Sequence, residues 1–129
     1  MVKTLRGILK LLLLLKYHGP IVGRTRFQKL VFLLQTKYGI NFGYNFIPYF
    51  YGPYSKKLQI DIDWLGAHRS IKIGTGYEHS LTSLGHKFVD EEDVDEEGSK
   101  VSSEALKTAV EQLREIPTSE LIREAKSLI

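Results

Sequence analysis

Residues 70–85 read SIKIGTGYEHSLTSLG. Two short runs, 70–73 and 77–81, flank Gly74-Thr75-Gly76. A Gly-rich connection between two such runs is the mark of a β-hairpin. Thr82 follows the second run with the side-chain oxygen that a helix start uses. From 83 to about 90, Leu84 and Phe88 fall one turn apart, so the helix that Thr82 opens is expected to bury both. The stretch predicts strand, turn, strand, then helix.

Toward the N-terminus, Pro53, Tyr54 and Ser55 open a third helix that runs to about residue 68. Proline is tolerated in a first helical turn. Leu58, Ile62 and Leu65 point inward, with Trp64 beside that face. Residues 40–54, INFGYNFIPYFYGPY, are broken by Gly43, Pro48, Gly52 and Pro53. They predict an extended segment with a short strand near 47–51. Between Tyr38 and Tyr54, 8 of the chain's 14 aromatic residues stand in 17 positions. Their first expected use is to wrap the helices and complete the core. The alternative is a surface for a partner or for stacking a single strand.

A second helix over 25–38 carries Phe27, Leu30, Val31, Leu34 and Tyr38 on one face. Arg26, Lys29 and Lys37 fall away from the centre of that stripe. The first helix, 2–17, places Leu5, Ile8, Leu9, Leu12 and Leu15 at helical spacing, and Leu11, Leu13 and Leu14 widen the stripe. Such a helix is covered on several sides. His18-Gly19-Pro20 ends it. Its unbroken apolar run, 11–15, is far shorter than the roughly 20 residues of a membrane span. It also lacks the length and cleavage site of a signal peptide. The chain is expected to be cytoplasmic, with no membrane partner.

On the other side of the hairpin, residues 1–89 form the body, 90–101 an acidic linker, and 102–129 a pair of helices broken at Pro117. Leu106, Val110 and Leu113 make one apolar stripe. Leu121, Ile122, Ala125 and Leu128 make another. Helices this short are not stable alone in water, so each must dock on the body or on a second copy. A homodimer is the preferred use, because the first helix also needs cover. The fold class is mainly α with a small β-hairpin: a winged helix-turn-helix with additional C-terminal helices. Ser80-Leu81-Thr82-x-x-Gly85 resembles the junction that closes the wing in many repressors of that fold.

Charge is divided unevenly. Residues 1–89 hold 13 Lys+Arg and 3 Asp+Glu, a net of +10, and residues 90–129 hold 5 and 12, a net of −7. A basic body with an acidic end points to a polyanionic partner, or to neutralisation within one fold. The absence of cysteine excludes disulfides, thiolate metal sites and a Cys nucleophile. His18, His68, His79 and His86 include no i, i+4 pair, so no metal site is expected. Asp61 and Asp63 point in different directions on a helix. Gly74-Thr75-Gly76 is a turn and not a dinucleotide fingerprint. No enzyme and no cofactor are expected.

The basic residues suggest contacts. Arg24, Arg26 and Lys29 gather at the start of the second helix, Lys56 and Lys57 open the third, and Arg69 and Lys72 flank the hairpin. The leading expectation is a transcriptional regulator that binds duplex DNA through these seven residues, with the third helix in the major groove. Two features oppose it: Asp61 and Asp63 on that helix, and an uncharged wing tip. The alternative is an antitoxin-like or adaptor module that grips another protein. A continuous basic face across the second and third helices would favour DNA. Arg24 has a second expected role, holding the 51–55 turn through its carbonyls or pairing with a carboxylate.

Two blocks carry a resemblance: Gly23-Arg24-Thr25-Arg26-Phe27-Gln28-Lys29-Leu30-Val31-Phe32-Leu33, and Tyr51-Gly52-Pro53-Tyr54-Ser55-x-x-Leu58. Over roughly 8–88 the chain resembles the YwgA-like group of small prokaryotic proteins. More distantly it resembles the Panacea antitoxin domain, which implies a toxin–antitoxin or phage-defence setting with a toxin as partner. Phe46-Ile47-Pro48-Tyr49-Phe50 stands where the Panacea pattern has a Trp-bearing segment.

Overall fold

The computed structural model describes residues 2–91 and 101–129, with side chains from 7–90 and 103–129. The elements are α1 (Val2–His18), β1 (Ile21–Val22), α2 (Arg24–Thr36), β2 (Ile47–Tyr49), β3 (Gly52–Tyr54), α3 (Lys56–Ala67), β4 (Ile71–Ile73), β5 (Glu78–Leu81), α4 (Ser83–Glu91), α5 (Val101–Arg114) and α6 (Thr118–Ser127). The described residues are mainly helical, with two small antiparallel sheets. The expected acidic linker lies for the most part outside the described residues; Glu91 ends α4 and Val101 begins α5.

Local chemistry places the boundaries. Gly19, with φ +83°, lets the chain leave α1 in a left-handed turn. Ser55 Oγ accepts from the Leu58 N–H at 3.1 Å and caps α3. The helix therefore starts after Pro53, which lies in β3. Thr82 Oγ1 accepts from the Gly85 N–H at 3.1 Å and caps α4. Leu84 of α4 is exposed, contrary to expectation, and Val89 takes the buried place. Gly85 sits so close to the chain that a Cβ there would stand 2.1 Å from the Ser70 carbonyl oxygen, which sets the helix rotation.

The three-stranded sheet has the order β1-β5-β4. Ile21 pairs with His79, and Ile71 pairs with Leu81. Strand β1 is two residues long, too short to leave a periodic signal. The second sheet is the hairpin β2–β3, inserted between α2 and α3, with Ile47 opposite Tyr54 and Tyr49 opposite Gly52.

All of Leu11, Leu12, Leu13, Leu14 and Leu15 are buried. Helix α1 is covered by α3, α4, α5 and β5. Helix α2 is central: α5, α6, β1 and β3 surround it, and every residue from Arg26 to Leu34 is buried. The C-terminal stripes complete this same core, with Leu106, Val110, Leu113, Leu121 and Ala125 all buried. Each Leu-sized side chain so placed contributes about 1.5–3 kcal/mol. The cover that argued for a homodimer is thus supplied within one chain, which removes that argument. Leu128 stays exposed at the end of α6.

Candidate binding face

Helix α2 holds the β2–β3 hairpin from below. Gln28 Oε1 accepts from the Ser55 N–H at 2.8 Å, and Gln28 Nε2 donates to the Ser55 carbonyl at 2.9 Å. Lys29 Nζ donates to the Pro53 carbonyl at 2.8 Å. Gly52, at φ +103°, packs against the Lys29 and Lys126 side chains, where a Cβ would be crowded as well as strained. These contacts perform the turn-holding role that was one expectation for Arg24.

Fixed in this way, the hairpin presents its rings to solvent. Tyr49 is 59% exposed, Phe50 79% and Tyr51 63%. The Tyr49 ring lies 4.9 Å from Phe50 and 5.4 Å from Tyr54. The aromatic belt therefore divides. Phe42 and Tyr44 join the core and Phe46 packs edge-on to Phe32, whereas the rings from 49 to 51 do not join it. An open cavity of about 310 Å³ lies between the hairpin tyrosines, the first turns of α2 and Gln59 of α3.

The seven basic candidates separate into two groups. Arg26 is buried and its guanidinium is fully occupied. It donates to the carbonyls of Ile116 at 2.7 Å and Arg114 at 2.9 Å, and to Thr118 Oγ1 at 3.2 Å. It also reaches His18 Nε2 at 3.3 Å. Lys29 is 2% exposed, and burial, then the nearby Lys126 charge, pushes its ammonium down to about 8. Both were expected on the surface. They are interior because α2 is enclosed on every side. Lys57 is exposed but is engaged with Asp61 at 2.8 Å.

Arg24, Lys56, Arg69 and Lys72 remain exposed. The Arg24 guanidinium lies 4.1 Å from the centroid of the Tyr77 ring. Arg69 sits at φ +68° in the turn after α3. Asp61, one of the two acids expected to oppose DNA, is buried and accepts from Tyr44 Oη at 2.7 Å. Burial, then this bond, pushes the tyrosine hydroxyl up. Asp63 is exposed and accepts from Gln59.

The basic surface is therefore not continuous. Lys56, Ile60, Asp63 and Ala67 form the solvent stripe of α3 by helical spacing, with all four exposed. Ile60 is 51% exposed, and Trp64 on the flank is 49% exposed and stacked on His68 at 4.8 Å. Part of the charge imbalance is settled internally, through Lys16 with Asp90 and Lys37 with Glu124. Sequence reasoning missed Ile60 as a surface residue. Its only signal was its place off the inward stripe.

Buried His79 and half-buried His18 serve the fold. His79 Nδ1 donates to the Ile21 carbonyl at 3.0 Å, and its ring meets Phe27 edge-on. His18 Nδ1 donates to the Gly19 carbonyl, leaving Nε2 to accept from Arg26. Burial holds both below the ordinary histidine range. Among the described residues no three potential metal ligands converge, and no helix is long and apolar enough to cross a membrane.

No protein-family model and no solved structure matches the chain significantly. The chain is 33% identical over 93 residues to the uncharacterized protein YwgA of Bacillus subtilis, a match that covers 67% of this chain and 55% of that protein. The chain thus spans about half the length of the curated relative it matches. This similarity supports the YwgA-like resemblance carried by the two sequence blocks.

Proposed function

We propose that the chain is a non-catalytic module of winged-helix type that grips another protein. Its face is built from α3, the β2–β3 hairpin and the β4–β5 tip. The element order supports the fold reading: helix, strand, helix, the inserted β2–β3 hairpin, helix, then the β4–β5 hairpin, with β5 between β1 and β4. In that architecture α3 is the recognition helix and β4–β5 the wing.

One observation carries the functional reading. Where a DNA reader places arginine and lysine, this face exposes Ile60 and Trp64 on α3, Tyr77 on the wing, and Tyr49, Phe50 and Tyr51 on the hairpin. Arg24 and the tyrosine-lined cavity join the wing to the hairpin. Clustered exposed rings mark protein interaction surfaces, and aromatic side chains beside isolated arginines are the residues that dominate binding energy there. A toxin-like partner, as the Panacea resemblance implies, is one form of this reading.

DNA binding is the second reading, favoured by the exposure of Arg24, Lys56, Arg69 and Lys72. A photo-crosslinking residue at position 60 or 51, compared with position 107 on the outer side of α5, separates the two. The protein reading expects adducts to one protein from 60 and 51 and none from 107. Adducts to nucleic acid from position 56 or 72, with none to protein from 60 or 51, would overturn it.

A further inference from the structure

The cavity under the hairpin has a one-sided chemistry. Arg24, Thr25 and Lys29 line it together with Tyr49, Tyr51, Tyr54 and two glutamines, and among the described residues no carboxylate does. Lys29 is the telling member. Its side chain is buried, its amine makes one hydrogen bond to a neutral carbonyl, and no carboxylate among the described residues lies within ion-pair distance. Buried charges are ordinarily paired. Here the charged group nearest in effect is Lys126 of α6, of the same sign. Arg24 and Thr25 also belong to the first turn of α2, whose amides no side chain caps. That end of a helix favours an anion.

The tyrosines set the rest of the ligand. Tyr49 and Tyr51 are more than half exposed and stand as walls against which a flat ring can stack. The volume, about 310 Å³, falls at the small end of the roughly 300–1,000 Å³ of small-molecule sites. It suits one small molecule and not a duplex or a folded segment.

We propose that this cavity binds a phosphate monoester carried on a flat ring, with the size and chemistry of a nucleoside monophosphate. The phosphate meets Arg24, Lys29 and the start of α2, and the ring lies against Tyr49 and Tyr51. The site lies within the face assigned to a protein partner but does not rest on that assignment, because ligand binding is measured on the isolated chain.

Calorimetric titration of the full chain at pH 8 tests this, with AMP and UMP set against ribose 5-phosphate, adenosine and inorganic phosphate. A nucleoside monophosphate is expected to bind one to one. The ring-less and phosphate-less probes should each be about tenfold weaker or more. Arg24→Ala and Tyr51→Ala, both at exposed positions, should each weaken binding by a similar factor with unchanged melting. Repeating the titration in buffers of different ionisation heat should show proton uptake, as the bound anion returns the Lys29 amine to its charged form. That uptake should vanish in Lys29→Met; if that variant does not fold, the two exposed substitutions carry the test. No saturable binding of either nucleotide at millimolar concentration overturns the proposal. So does inorganic phosphate binding as tightly as AMP, or an affinity that both exposed substitutions leave unchanged.

Discussion

The side-chain amide of Gln28 grips the backbone of Ser55 from both sides, accepting from its N–H at 2.8 Å and donating to its carbonyl at 2.9 Å. The two residues are 27 positions apart, and both are buried. Ser55 is also the cap of α3, so one glutamine fixes where the hairpin ends and where the helix begins. The two sequence blocks that carry the resemblance are one physical unit, Gln28 and Lys29 of the first holding Ser55 and Pro53 of the second. Gln28→Met leaves the buried Ser55 N–H without an acceptor, while the Ser55 carbonyl keeps the Gln59 N–H at 3.2 Å, and should cost about 1–3 kcal/mol in chemical denaturation. Gln28→Glu should cost as much, because it sets a carboxylate against the Ser55 carbonyl. A loss below about 0.5 kcal/mol in both would mean that the pairing does not bear on stability.

Arg26 joins the C-terminal helices to the body. Its guanidinium takes the last carbonyls of the α5–α6 junction across about ninety positions of sequence. Lysine offers one ammonium where a planar fork is used. Arg26→Lys should therefore lose about 1.5–3 kcal/mol, as for hydrogen bonds to charged groups, and not restore the stability that Arg26→Ala loses. Limited proteolysis should cut both variants faster between α5 and α6 than the wild type. Equal cleavage rates would show that the helices dock without this anchor.

Gly85 explains the last position of Leu81-Thr82-x-x-Gly85. An added Cβ would stand 2.1 Å from the Ser70 carbonyl oxygen, which is backbone and cannot swing away. Gly85→Ala should destabilise by about 2 kcal/mol or more, in spite of alanine's better helix propensity. A thermal midpoint equal to or above that of the wild type would contradict the close approach.

Lys29 gives the fold a pH dependence of known sign. Its folded value, about 8, lies below its ordinary 10.5. Between these values the unfolded chain holds a proton that the folded chain has released, so stability gained from this residue rises with pH across that window. The stability of the wild type minus that of Lys29→Met should increase by about 1–3 kcal/mol from pH 8 to 10.5, because each tenfold difference in proton affinity is worth about 1.4 kcal/mol. A difference that stays flat or falls across the window would place the ammonium in water.

Much of the fold was legible because it rests on local signals. The helix order followed from apolar spacing, the start of α4 from Thr82, and the docked C-terminal stripes from helices too short to stand alone; α3 was read to begin at Pro53, and Ser55 caps it instead. What escaped is tertiary. Pro48 and Pro53 read as breakers, yet they face each other across β2–β3, where neither needs to donate to the ladder. Arg26 and Lys29 read as surface charges because spacing within one helix does not report that other elements enclose it. The same limit governs the site. Counting charges gave seven contacts, and burial withdraws two of them. The exposed rings of the hairpin were weighed only as the lesser use of the aromatic belt.

On the proposed function, the apolar face and not the exposed cations carries recognition. The decisive measurement is recovery of a partner by the full-length tagged chain from its own host, in three forms: wild type, Ile60→Glu with Trp64→Ala, and Lys56→Glu with Lys72→Glu. All are changes at exposed positions, and matched melting curves check the fold. One protein at equal stoichiometry is expected with the wild type and the charge variant, and roughly tenfold less of it with the apolar variant. Salt-sensitive recovery of nucleic acid, lost in the charge variant and kept in the apolar one, would reverse the assignment.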